Sequence, residues 1–170
     1  MPGERPQVAI IMGSDSDLPT MIETTKVLQK FGVGFEIEVA SAHRTPNRVH
    51  DFASTAADRG IKVIIAAAGG AAHLAGVCAA FTTLPVVAVP LAATPLGGMD
   101  ALLATVQMPP GVPVASMALD KWGATNAGLF AVQILATADP GLRVRLADYK
   151  QEMAKSVAEK NAKAQAQFKS

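Results

Sequence analysis

At 170 residues with one cysteine, the chain has the length of a single domain with a sizeable core, and it cannot form an internal disulfide. Half of its residues are hydrophobic but only 5% are aromatic, so the core is built from Ala, Val, Ile and Leu, which suits a buried parallel sheet under closely packed helices. Charged residues are only 17%, against about 25% in soluble domains, and the net charge of +1 supplies neither a nucleic-acid footprint nor a polybasic membrane patch. So little charged surface predicts burial against copies of the same chain.

In chain order, Val8–Met12 is a continuous apolar run, the pattern of a strand buried on both faces. Leu18, Met21, Ile22, Thr25 and Leu28 then recur at helical spacing, with Pro19 in the first turn and Gly32 and Gly34 closing the helix. Residues 35–40 alternate apolar and acidic, as in a strand near a sheet edge. A helix is predicted over 46–59, with Val49, Phe52, Ala53 and Ala56 on one face, and a second central strand over 62–68. The small residues of 72–81 read as a helix, 85–90 as the fourth strand, 114–119 as the fifth and 124–138 as an apolar helix. Asp139-Pro140-Gly141 breaks the chain before a last helix beginning near Leu142. The Gly-, Pro- and Met-rich segment 94–113 forms no core element in this reading. Its apolar side chains, and the stripe Leu142, Leu146, Tyr149 and Met153, are expected under a neighbouring subunit. The polar tail after Lys155 reads equally as helix, arm or disorder.

Strand and helix alternate throughout, which gives an α/β class: a three-layer, flavodoxin-like (Rossmann-type) fold with a parallel five-stranded sheet in the order 2-1-3-4-5 and a C-terminal helical extension. Residues 1–170 read as one catalytic domain, with its core over about 7–140 and its C-terminal helix and tail over 141–170. The first six residues contain no apolar targeting core and no apolar run reaches ~20 residues, so a cytoplasmic location is expected.

Three polar turns follow strands 1, 2 and 3 and so converge on one edge of the sheet. The first, Gly13-Ser14-Asp15-Ser16-Asp17, offers free backbone N–H groups and serines to a phosphate. Helix capping explains one of Ser14, Ser16 and Asp17 but not all three, and charge repulsion assigns Asp17 to sugar hydroxyls. The second, Ser41-Ala42-His43-Arg44-Thr45-Pro46, sets an imidazole, which gives and takes protons near neutrality, beside a fixed cation. The third, Gly69-Gly70-Ala71-Ala72-His73, offers bare backbone and a second imidazole. His50 reads as solvated surface and Cys78 as a buried small hydrophobe. There is no G-x-G-x-x-G, Walker lysine, zinc-helix spacing or nucleophile elbow. The residues therefore reach an α/β domain that binds a phosphorylated small molecule, with His43 as acid–base.

The motifs Met12-Gly13-Ser14-Asp15-Ser16-Asp17, Ser41-Ala42-His43-Arg44-Thr45-Pro46, Gly69-Gly70-Ala71-Ala72-His73-Leu74 and Gln107-Met108-Pro109 resemble the class I N5-carboxyaminoimidazole ribonucleotide mutases of purine biosynthesis, over about residues 8–149. That resemblance implies conversion of N5-carboxyaminoimidazole ribonucleotide to 4-carboxy-5-aminoimidazole ribonucleotide with no metal and no organic cofactor. It implies His43 as general acid–base and His73 over the reacting carboxylate. Ser14, Ser16, Asp17, Ser41, Arg44, Gly70, Ala71 and Leu74 would hold the nucleotide, with Arg44 and the serines at phosphate and Asp17 at ribose. In the implied scheme, loss of CO2 accompanies protonation at N5; the trapped CO2 then bonds to C4, and the same histidine removes the C4 proton. A homo-octamer is also implied. Ala75, Ala88, Asp120 and Trp122 depart from the family pattern. The alternatives are a class II aminoimidazole ribonucleotide carboxylase using free CO2, against which Arg44 and Gly70-Ala71-Ala72 argue, and a non-catalytic nucleotide sensor, against which His43 argues.

Overall fold

The computed structural model describes residues 5–168; residues 1–4 and 169–170, which include most of the start read for targeting and the end of the tail, lie outside it. Five strands, β1 (Val8–Met12), β2 (Phe35–Val39), β3 (Val63–Gly69), β4 (Val86–Leu91) and β5 (Ala115–Ser116), form one sheet in the order β2-β1-β3-β4-β5. Every neighbouring pair is parallel, with Ile10 opposite Ile37 on one side and Ile65 on the other. β1 is buried along its whole length because helices cover both faces, whereas the alternating pattern of β2 marks the edge the sequence predicts.

The helices are α1 (Leu18–Lys30), α2 (Pro46–Ser54), α3 (His73–Phe81), α4 (Met99–Val106), α5 (Asp120–Ala136) and α6 (Pro140–Gln167). One face of the sheet packs on α1, α5 and α6 through Ile10, Met12, Met21, Leu28, Ile65 and Leu142. The other packs on α2 and α3 through Ala9, Ala53, Ala66, Ala75, Cys78 and Ala88. α1 and α5 approach so closely that a Cβ on Gly128 would lie 2.9 Å from the Val27 Cβ, and the buried Thr24 hydroxyl donates to the Ala124 carbonyl at 2.7 Å.

Several elements differ from the sequence reading. α2 stops at Ser54 rather than 59, although Ala56 is still buried. The fifth strand has two residues rather than six, because β4 offers it a partner only at Val87 and Ala88. Segment 94–113 does contain a core element: α4 buries Ala101 and Thr105, entered through left-handed Gly97 (φ 62°) and Gly98 (φ 83°). Met108 lies against α3, where a Cβ on Gly76 would meet its Cε at 3.0 Å. Pro140 opens α6 rather than breaking the chain, with the Asp139 carboxylate accepting the Leu142 N–H at 3.1 Å. The helix continues through the tail to Gln167. All of its apolar stripe but the exposed Met153 is covered by its own domain: Leu142 is buried, Leu146 packs on the core and Tyr149 meets Phe31 edge-to-face at 5.7 Å. No helix among the described residues is long and apolar enough to cross a membrane.

Candidate active site

Parallel strands put all their carboxyl ends on one edge, so the turns after β1, β2, β3 and β4 meet there. They enclose a cavity of about 330 Å³. Ser14, Ser16, Asp17, Ser41, His43, Gly70, His73 and Leu74, of the residues singled out in the sequence, line it. Arg44 and Ala71 stand outside the lining. The Arg44 guanidinium instead crosses to the first turn and donates to the Gly13 carbonyl at 3.3 Å, which sets the cation beside the serines. His50 is exposed, as expected, and its ring also stacks edge-to-face on Phe81 at 4.7 Å.

After β1 the chain makes a 3-10 turn over Asp15–Asp17 capped by Ser14. The Ser16 N–H donates to Ser14 Oγ at 3.3 Å, and the Ser14 N–H donates to Asp17 Oδ2 at 3.1 Å, a reciprocal capping box. The Ser16 hydroxyl also donates to Ser14 Oγ at 2.9 Å. Local capping thus engages all three residues, where sequence reasoning assigns it one. Burial nevertheless raises the Asp17 carboxyl from its ordinary value, against the opposing pull of the Ser14 N–H and the Ser16 hydroxyl. A carboxylate short of solvation is suited to accept hydrogen bonds from a ligand.

Pro46 opens α2 and keeps Thr45 (φ −137°, ψ 55°) out of the helical region. The Arg44 N–H reaches Ser41 Oγ at 3.3 Å and the Ser41 N–H reaches Thr45 Oγ1 at 2.9 Å, which fixes the turn carrying His43. His73 is the first residue of α3, which enters from two left-handed residues, Gly70 (φ 62°) and Ala72 (φ 47°). For an alanine that conformation costs on the order of 1–2 kcal/mol. The two rings meet: His43 Nε2 lies 2.7 Å from His73 Nδ1, with the ring planes 75° apart. One proton fits between nitrogens at that distance, so the pair shares a donor–acceptor contact and carries a single proton there.

The rest of the wall is small and apolar: Ala42, Ala68, Gly69, Ala72 and Ala93. A Cβ on Gly69 would stand 2.5 Å from the Ala93 Cβ, so only glycine lets the third and fourth turns close on each other. Ala93 and Thr94 were missed by sequence reasoning, although Thr94-Pro95 repeats after β4 the Thr45-Pro46 signal seen after β2. No group of three or more His, Cys, Asp or Glu side chains among the described residues could hold a metal ion. Cys78 is not a nucleophile here: burial pushes its thiol up to about 12.

Residues 7–156 match the AIR carboxylase family. The chain belongs to that family. Within it, this chain is 55% identical over 148 residues to the N5-carboxyaminoimidazole ribonucleotide mutase of Pyrococcus abyssi, covering 87% of this chain and 84% of that one. It is 51% identical over 163 residues to the enzyme of the same name from Mycobacterium tuberculosis, covering 96% and 92%. Among solved structures, PurE of Treponema denticola superposes with a TM-score of 0.83 at 28% identity, over 94% of this chain and 98% of that one. The family match thus reaches into α6.

Proposed function

We infer that this chain is an isomerase of purine (IMP) biosynthesis that converts N5-carboxyaminoimidazole ribonucleotide to 4-carboxy-5-aminoimidazole ribonucleotide. Identity above 50% over most of the chain to enzymes named for that reaction supports the reading, and the observation that carries it to the residues is the hydrogen-bonded His43–His73 pair at the mouth of an alanine-lined cavity. The nucleotide phosphate lies against Ser14, Ser16 and the Arg44 cation, and the ribose hydroxyls donate to Asp17. Ser41, Gly70, Ala71 and Leu74 shape the space around the base.

His43 acts as general acid and then as general base. Its proton goes to N5 as the N5–carboxylate bond breaks and CO2 is released. C4 then attacks CO2 to form the new carbon–carbon bond, and His43 takes the C4 proton, so the cycle closes with no net proton change. For His43 Nε2 to reach N5, the substrate must displace His73 from that nitrogen, which leaves His73 over the reacting carboxylate. A dry wall of Ala and Gly leaves space for CO2 between the two steps. The chemistry needs only these side chains and the substrate, with CO2 as an intermediate.

The working form we propose is a cytoplasmic homo-octamer that uses neither nucleic acid nor membrane as partner. The support is exposed apolar surface: Trp122 is 82% exposed, and Leu96, Met99, Leu103 and Val106 crowd the outer face around α4. α6 contributes less than the sequence suggests, since only Met153 of its stripe is exposed. Light scattering at micromolar concentration should show the oligomer, and a fully active monomer would refute it. The reaction itself is tested by giving purified protein N5-carboxyaminoimidazole ribonucleotide, and separately aminoimidazole ribonucleotide with CO2. Turnover of the first is expected. Turnover of the second alone would identify a class II carboxylase, and binding without turnover would identify a sensor.

A further inference from the structure

The fourth turn is held by two acidic side chains that stand outside the cavity. The Ala92 N–H donates to Asp120 Oδ1 at 2.9 Å, and Asp120 takes a left-handed backbone (φ 53°) at the start of α5 to reach it. Two residues on, Thr94 Oγ1 donates to Asp100 Oδ2 at 2.7 Å and accepts the Leu96 N–H at 3.2 Å. The Thr94 hydroxyl holds the Asp100 carboxyl below its ordinary value, against the opposing effect of burial. It is therefore ionised near neutrality, has no proton to give, and makes Thr94 the donor. The hydroxyl is thus engaged in both directions away from the cavity. The Thr94 methyl faces the third turn instead: a Cβ on Gly70 would sit 3.7 Å from Thr94 Cγ2. Asp100 Oδ1 is meanwhile sealed from solvent without a hydrogen-bond partner. A sealed, unpaired oxygen costs stability, and such a cost marks residues kept for a purpose other than folding.

We propose that Asp100 is a positioning residue: by engaging the Thr94 hydroxyl it turns the Thr94 methyl inward and keeps the wall opposite Gly70 apolar. This rests on the mutase reading above. A hydroxyl turned inward would bring a water into the space that CO2 occupies between release and recapture. The nucleotide would then leave decarboxylated in a larger share of turnovers.

The test is a double-mutant cycle on the full chain, with N5-carboxyaminoimidazole ribonucleotide as substrate. Asp100→Ala alone should lower kcat by ~10-fold, leave KM within ~2-fold and raise the yield of aminoimidazole ribonucleotide over the uncatalysed background. In a Thr94→Val background there is no hydroxyl to turn, so the same replacement should change kcat by less than ~2-fold. Equal losses in both backgrounds would overturn the proposal, since Asp100 would then act through the α4 terminus alone. If Asp100→Ala does not fold, Asp100→Asn runs the same cycle with a smaller expected loss of ~3-fold. Crystal structures give a readout independent of turnover: a water beside Gly70 in Asp100→Ala and none in the double variant. That difference would stand even if the native chain failed to isomerise the substrate, so the two readings fail separately.

Discussion

The two faces of the sheet are made of different material. On the α1, α5 and α6 face, five of the twenty clustered core residues are Ala and the rest are bulkier, with Ile10, Met12, Met21, Leu28, Phe31 and Ile65 among them. On the α2 and α3 face, eight of fourteen are Ala or Cys. Bulk on the first face removes the larger apolar area per residue from water and supplies most of the stabilisation. Small residues on the second let α2 and α3 lie close to the sheet and to each other. That closeness functions at the helix ends, because the turn before α2 carries His43 and the first residue of α3 is His73. The 2.7 Å contact between the rings is therefore a consequence of alanine packing some distance away.

If that division is right, Ile65→Ala should cost about 2–5 kcal/mol of stability by leaving a cavity on the bulky face. Its kcat should stay near that of the native chain at temperatures where it remains folded. A large loss of kcat without a loss of stability, read by denaturant melts alongside the assay, would show that the bulky face also shapes the site. His43→Asn should do the reverse and lower turnover by at least ~100-fold, the range of a general acid–base, while its melt and nucleotide affinity stay close to native. Turnover near the native rate would remove His43 from the chemistry. Ala53→Val lies between these cases. An extra pair of methyl groups under α2 should cost about 1–3 kcal/mol and lower kcat as well, because the His43 turn moves with the helix. The buried Cys78 gives an independent reading, since alkylation of its thiol should speed up only in variants that loosen this face.

The same division explains what was legible in the sequence. Val8–Met12 and Val63–Gly69 announce themselves because a strand covered on both faces must be apolar throughout. Alternation of strands with helices then fixes where the first three turns meet, and eight of the ten expected site residues do line the cavity. The histidine contact was not legible, because it depends on how near α2 comes to α3. α4 was hidden by its flanks: Gly97 and Gly98 read as loop, yet their left-handed backbone is what starts the helix. Asp120 looked only like a departure from the family pattern, since its partner, the Ala92 N–H, is 28 positions away. For Ala75, Ala88 and Trp122, the first two sit in the small-residue face, while Trp122 stands exposed.

The smallest expected effect concerns Asp17, where the first turn draws on stability that the bulky face supplies. Burial raises its carboxyl above the ordinary value of 3.8, so the folded chain holds this proton more tightly than the unfolded chain does. The contribution of this group to stability is complete below the ordinary value. It declines as pH rises through that value towards the folded-state one, and stays at its lower level above both. Asp17→Asn removes the decline, and its amide oxygen can still accept the Ser14 N–H that closes the capping box. Relative to the native chain, the variant should therefore gain stability near neutrality compared with its standing at about pH 3. It should at the same time lose nucleotide affinity, because a neutral amide is a poorer acceptor for ribose hydroxyls than a carboxylate. Thermal melts at the two pH values and calorimetry with the nucleotide read the two effects separately. A stability gap that does not change with pH would show that Asp17 is not strained by its burial. Unchanged affinity would move the ribose elsewhere in the cavity.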